Sequence, residues 1–390
     1  MSPPNSLQRT FTGIRGTGVT DARSGRARAT TGLLRAIALL VAACGLLTVC
    51  TTAASAATWK WSKTYALPGS PHGIEGISCP SASLCVAVGN SGSLARHNAS
   101  DNVYWTTNPA RGRSAWHVAA LEPELQPAIG PAGEVLSGVS CAQLARGVDC
   151  ALSDGFANLW RTSHPTGGKR AWRVSVPNDT GLLALSCWSA WCGALDAYGD
   201  ALVTNAARVQ SDLTVFNVPD GIDQAAVACN AAAFCAAVDL TSTVTWTEHA
   251  TKRRAVWHFA NLRGGSDLDT IACPTIKLCV VTEGQNSGTA WIGVSRNPGE
   301  GVGTWASVEL PASLGPSVYT VACQSASLCA VGGQNFVLTS TDPAAKLSAW
   351  QRSNVPFEVE NLSCPTATEC VATEGGGDEV IVGRLVSSHR

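Results

Sequence analysis

The chain has 390 residues, 45% of them hydrophobic and only 14% charged, with 38 glycines and 16 cysteines. A formal net charge of −1 leaves no basic footprint for nucleic acid. Few charges with abundant Gly, Ser, Thr and Val argue against a helical protein and for strands and turns. In chain order, the first segment stands outside the fold. Residues 9–35 hold six arginines and one acid, Asp21, followed by the apolar run "GLLRAIALLVAACGLLTVC" and the small-residue site Ala54-Ser55-Ala56. This is the layout of a secretory signal, residues 1–56, cut after Ala56. The apolar stretch from Ala36 to Cys50 is short for a bilayer span, so no membrane span is expected in the mature chain. Val41-Ala42-Ala43-Cys44 resembles a lipobox, which leaves a lipid anchor at Cys44 as an alternative, although the apolar run continues past that cysteine. Without residues 1–56 the chain carries about −6.

The fourteen remaining cysteines fall into seven close pairs: Cys79/Cys85, Cys141/Cys150, Cys187/Cys192, Cys229/Cys235, Cys273/Cys279, Cys323/Cys329 and Cys364/Cys370. An even count in an exported chain reads as disulfides. Zinc is the weaker alternative, because successive pairs lie some 40 to 60 residues apart rather than as close double pairs. The same spacing is a repeat, and a strand-rich repeat of this length points to a propeller. In each unit a short strand ends at the first cysteine ("EGIS", "SGVS", "DTIA", "YTVA", "ENLS"). A tight loop then leads to the second cysteine and a second strand ("CVAVG", "CVVTEG", "CVATEG"). A third strand follows ("GTAWIGVS", "NFVLTST"), and a fourth opens on tryptophan ("AWHVAAL", "AWRVSVP", "VWHFANL", "TWASVEL", "AWQRSNV"), with Phe216 in that place after Cys187.

Four antiparallel strands per unit make one blade. The expected fold is therefore all-β, a single seven-bladed β-propeller over residues 57–390. The seventh unit, ending "EVIVGRLVSSHR", lacks its tryptophan strand, and "TWKWSKTYALPG" at the mature N-terminus supplies one. The N-terminal strand would close the last blade, with Trp61 or Trp59 in the repeat position, and leave no open edge. Each cysteine pair would join adjacent strands across the first hairpin, where facing Cα atoms lie within disulfide reach.

"SCPSASLCVAVG" and "SCPTATECVATEG" resemble the repeats of exported actinobacterial propellers, loosely related to BNR or Asp-box repeats. The resemblance covers essentially the whole mature chain and implies architecture more than activity. The Asp-box appears only in frayed form, as in "TSTDPAAKLSAW" from Thr339 to Trp350. Sialidases share that box but need an arginine triad, a tyrosine nucleophile and acids. No such arrangement is readable among four tyrosines, so no catalytic residue is carried over.

Two sets of acids recur by position. Four residues beyond the second cysteine stand Gly89, Asp154, Asp196, Asp239, Glu283, Gly333 and Glu374; four residues before the first stand Glu75, Asp269 and Glu360. Both positions fall on the face opposite the disulfide loops, which is expected to be acidic. Clustered carboxylates suit a cation such as Ca2+ or a basic partner. Hairpin chemistry competes, since Asp154-Gly155, Glu283-Gly284 and Glu374-Gly375 read as corners. The loops between third and fourth strands are basic, with Arg111, Arg113, Arg161, Lys169, Arg170, Lys252, Arg253, Arg254 and Lys346. "CWSAWC" places Trp188 and Trp191 in a disulfide loop, either as surface aromatics or packed on the next blade.

The histidines form no ligand pair, and no nucleophile elbow, P-loop, HExxH or dinucleotide fingerprint is present. The expected function is a secreted, non-catalytic binding or scaffold protein that engages a protein or cell-wall glycan through one face. It is expected to be a monomer with no cofactor beyond the Ca2+ candidate. The alternative is an extracellular carbohydrate hydrolase or lyase that uses the clustered carboxylates.

Overall fold

The computed structural model describes residues 57–69, 73–91, 100–121, 136–154, 159–175, 182–196, 200–205, 214–217, 224–252, 255–262, 268–283, 290–314 and 317–387. Residues 1–56, expected to be a secretory signal and including Cys44, lie outside them. Five four-stranded antiparallel sheets follow one another along the chain. Blade one is β3 (Gly73–Ser81), β4 (Leu84–Ser91), β5 (Ser100–Thr106) and β6 (Trp116–Leu121). Blade two is β7 (Leu136–Gln143), β8 (Val148–Asp154), β9 (Leu159–Thr162) and β10 (Arg173–Ser175). Blade three is β11 (Leu182–Trp188), β12 (Trp191–Asp196), β13 (Asp200–Asn205) and β14 (Thr214–Asn217). Blade four is β15 (Gln224–Cys229), β16 (Cys235–Asp239), β17 (Thr243–Thr247) and β18 (His258–Asn261). Blade five is β19 (Leu268–Thr275), β20 (Leu278–Glu283), β21 (Trp291–Ser295) and β22 (Trp305–Glu309).

The last two blades share a strand. β23 (Val318–Ser325) and β24 (Leu328–Ser340) open blade six, and β25 (Trp350–Thr366) is both its fourth strand and the first strand of blade seven. β26 (Glu369–Glu374) and β27 (Glu379–Val386) continue blade seven, and β1 (Thr58–Trp61) pairs with β27 to complete it. β2 (Tyr65–Ala66) pairs further along β27. The expected closure by the N-terminus is therefore the observed one, and the register identifies Trp61 as the repeat tryptophan. Trp61 faces Gly383 as Trp116 faces Thr106, Trp305 faces Ser295 and Trp350 faces Ser340. A β-carbon at Gly383 would come within 2.9 Å of the Trp61 indole, which explains glycine where most blades carry threonine or serine.

The second strands of blades four and five are buried on both faces, because alternate residues point to opposite neighbours. Val280 packs with Val321, Val331 and Phe336 of blade six, and the next residue, Val281, packs with Val238 and Trp246 of blade four. The core is thus a series of seams between blades. The first strands touch one another around the ring, from β3 against β7 to β25 against β3.

All seven cysteine pairs are bonded within their own blades, as Cys79–Cys85, Cys141–Cys150, Cys187–Cys192, Cys229–Cys235, Cys273–Cys279, Cys323–Cys329 and Cys364–Cys370. Their Cα atoms lie between 3.9 Å apart, for Cys187–Cys192, and 4.2 Å, for Cys273–Cys279. The second cysteine of every pair is buried: Cys85, Cys150, Cys192, Cys235, Cys279, Cys329 and Cys370 open the inner side of the second strand and pack into the seams. The first cysteine of each pair is buried or half-buried. The expected pairing of one disulfide per blade is therefore the observed one, and the second cysteines belong to the blade core. Their thiols are consumed by the bonds, so the zinc alternative falls with them.

A second contact joins blades at the same level. The residue before the first cysteine is serine in blades one, two, three and seven. Its hydroxyl accepts the backbone N–H of the next blade's first cysteine. Ser78 accepts from Cys141, Ser140 from Cys187, Ser186 from Cys229, and Ser363 closes the circle on Cys79, all at 2.8–2.9 Å. Alanine takes this place in blades four, five and six, as Ala228, Ala272 and Ala322.

Candidate functional site

The recurrent acids do not form one exposed ring. Asp196, Asp239 and Glu283 are 0%, 3% and 1% exposed. The Asp239 carboxylate is occupied by its own hairpin. Oδ1 accepts the backbone N–H groups of Thr241 at 2.8 Å and Thr243 at 2.7 Å, the turn chemistry that short acidic side chains provide. Asp154 ends β8 opposite Leu136, and its side chain lies outside the described residues. Asp269 is half-buried on β19.

Glu75, Glu360 and Glu374 do come together, where blade seven meets blade one. The three-glycine loop after β26 makes the room. A β-carbon at Gly375 would fall on the Glu360 carboxyl group, and one at Gly377 on Glu374 Oε2. A β-carbon at Gly73 would lie 3.0 Å from Glu75 Oε1 and 3.8 Å from Gly376 Cα. Gly376 has φ +63°, a left-handed conformation that glycine adopts without steric cost. The loop is pinned to both blades, as Gly375 N–H donates to the Glu358 carbonyl at 3.2 Å and Ile74 N–H donates to the Gly377 carbonyl at 3.2 Å.

Glu358, Asp378 and Glu379 add charge to the same rim. Burial raises the pKa of Glu360, and the neighbouring Glu358 and Glu75 raise it further. Burial likewise raises Glu374, followed by Glu379, Asp378, Glu358 and Glu360. Glu75 is raised by burial and partly offset by a hydrogen bond to Asn90. Among the described residues, the charged groups that shift Glu360 and Glu374 are thus other carboxylates. Tyr319 stands beside them, its phenol raised by burial and by Glu358 and Glu360, and Gln334 Nε2 donates to Glu358 Oε1 at 3.1 Å. Glu358 was legible only as one acid among many. It joins the rim because β25 runs unbroken from blade six into blade seven.

No three of His, Cys, Asp and Glu converge as a metal-binding group among the described residues. Trp188 and Trp191 are packed rather than displayed. Trp188 is 5% exposed, and both rings rest against blade four near Cys235, Ala237 and Ala250, because the loop between the cysteines folds over the seam. Arg161 also leaves the basic face on which its position put it, since it is buried in an ion pair with Asp149. The frayed Asp-box keeps its turn. Asp342 N–H donates to Ser340 Oγ at 3.1 Å, as Asn108 does to Thr106, His164 to Thr162 and Asn297 to Ser295, so the bond needs only the hydroxyl residue.

No protein-family model matches this chain, and no curated protein matches it. Solved propellers do. The WD40 repeats of RRP9 superpose with a TM-score of 0.63 at 11% identity, over 83% of this chain and 97% of that one. YCF48 bound to a D1 peptide gives 0.58 at 12% identity, over 84% and 95%. A chain of the mitotic checkpoint complex gives 0.60 at 11% identity, over 94% and 98%. At such identities the likeness establishes the fold alone, a β-propeller with four-stranded antiparallel blades.

Proposed function

We propose that this protein is a non-catalytic binding propeller of an extracytoplasmic compartment, and that it engages a basic segment of a partner protein through the rim formed by Glu75, Glu358, Glu360 and Glu374. The observation that carries this reading is the convergence of carboxylates from two adjoining blades around a glycine loop, with only like charges among the described residues shifting the two most crowded of them. Carboxylates held in each other's field gain by receiving lysine or arginine side chains. Seven disulfides support an oxidising compartment, and no described helix is long and apolar enough to cross a membrane. YCF48, which shares the fold, is seen with a peptide. The packing of Trp188 and Trp191 removes the feature that favoured a glycan.

The test is fluorescence anisotropy of a labelled lysine-rich peptide against the mature protein at low and physiological salt. Saturable binding is expected. It should weaken with salt and fall at least tenfold in the Glu75→Gln/Glu358→Gln/Glu360→Gln/Glu374→Gln variant. Binding that the variant retains, or that a glutamate-rich peptide matches, would overturn the assignment.

A further inference from the structure

Blade two departs from the repeat at three positions that the fold brings together. The residue before the second cysteine is apolar in five blades, as Leu84, Trp191, Phe234, Leu278 and Leu328, and acidic in two, as Asp149 here and Glu369 in blade seven, whose partner Arg384 is exposed where Arg161 is buried. On the third strand, Trp105 and Trp246 of blades one and four stack on the cross-strand His117 and His258, with ring centroids 5.5 and 5.6 Å apart. Blade two places Arg161 opposite Arg173 in that register. Asp149 and Arg161 are buried, and Arg161 Nη2 donates to the Asp149 carboxylate. The Nε and Nη1 groups of Arg161 are buried and have no hydrogen-bond partner.

This is an expensive arrangement for packing alone. A buried guanidinium with unmatched N–H groups is penalised, and a buried ion pair is commonly replaceable by apolar residues without loss. Blade one fills the equivalent space with Leu84 and Trp105. What blade two has instead is a cavity of about 570 Å³, with the Asp149–Arg161 pair in its wall and Ser163, His164, Arg170 and Arg173 around it. Arg170 and Arg173 are exposed at the rim, so three guanidinium groups face one carboxylate. Ser163 and His164 add polar atoms, their side chains linked Oγ to Nδ1 at 2.9 Å. An excess of guanidinium charge around a cavity matches an anionic group with several acceptor oxygens.

We propose that the blade-two cavity is an oxyanion site for a carboxylate or phosphate group, with Arg170 and Arg173 as its donors at the rim, the buried Arg161 charge in its wall and Asp149 as the residue that fixes the Arg161 guanidinium. The site is built from the loops of the disulfide side, away from the acidic rim, and its function is independent of the basic-segment reading. Either assignment can fail while the other holds.

The test is isothermal titration of the mature protein at low ionic strength with inorganic phosphate and, separately, with N-acetylglutamate. One saturable site is expected for at least one probe, and the probe that binds says whether the natural group is a phosphate or a carboxylate. The Asp149→Leu/Arg161→Trp variant installs the blade-one residues and is expected to fold and to bind at least tenfold more weakly. Arg170→Gln/Arg173→His alters only exposed side chains. It is expected to weaken binding severalfold, and it decides the matter if the first variant fails to fold. Saturation by neither probe, or undiminished binding in a folded variant, would overturn the proposal.

Discussion

The hydroxyl of Ser363, in the last blade, accepts the backbone N–H of Cys79, in the first, at 2.9 Å. The two residues lie at opposite ends of the folded chain, and the same bond recurs between neighbours at three further seams. It gives the Cys79 amide, on the edge strand of its sheet, a partner in the neighbouring blade. Ser363→Ala is expected to cost about 1 kcal/mol and to speed hydrogen exchange at the Cys79 amide. Ala228→Ser is expected to slow exchange at Cys273. Unchanged exchange in both variants would remove the serine from any part in closure.

The N-terminal strand should be as necessary as any internal one. Trp61→Ala is expected to cost about 3 kcal/mol, the scale for emptying a tryptophan site. Gly383→Thr, which restores the residue common in other blades, is expected to destabilise because its β-carbon meets the Trp61 ring. Denaturant midpoints would measure both. A stable Gly383→Thr protein would show that Trp61 does not occupy the blade position in solution.

Asp239 separates turn chemistry from cation binding. Asp239→Asn keeps an oxygen for the Thr241 and Thr243 amides and is expected to be nearly neutral, whereas Asp239→Ala loses both bonds and should cost about 1–3 kcal/mol. Melts with calcium and then chelator should coincide for the parent and the Asn variant. A calcium-dependent rise that Asp239→Asn abolishes would return this residue to a binding role.

The acidic rim predicts a pH dependence of definite sign. Burial, and for Glu360 and Glu374 the neighbouring carboxylates, raise the folded-state pKa values of Glu75, Glu360 and Glu374 above the ordinary 4.5. The fold therefore favours their protonated forms. That contribution is complete below 4.5 and is lost as the pH rises through the raised values. Glu360→Gln/Glu374→Gln should be more stable than the parent at neutral pH, and the gain should vanish near pH ~4. Chemical denaturation at the two pH values would show it. Equal gains at both would assign the effect to packing.

The paired cysteines made the blade count legible because each pair marks one hairpin, and tryptophan spacing located the closing strand. Burial of the recurrent acids was not legible. Position in the repeat says where on the ring a residue falls, but the local hairpin decides whether its side chain turns inward. The Asp239 corner folds back on its own carboxylate, whereas the three glycines after Glu374 let that side chain and Glu360 crowd one rim. Arg161 was read as surface charge because its partner, Asp149, is twelve residues away. The available signal was an acid at a position where five blades carry an apolar residue.

The pattern of serine and alanine before the first cysteine has a mechanical consequence. The joint between blades seven and one is hydrogen-bonded, and the joint between six and seven is spanned by one continuous strand. Ala228 and Ala272 offer no hydroxyl, so the seam after blade four keeps only the 3.5 Å bond from Asn230 Nδ2 to the Cys273 carbonyl, and the seam after blade five has neither device. Under thermal strain the circle should yield first between blades five and six, so that the hydrogen-bonded joint of blades seven and one outlasts that middle link.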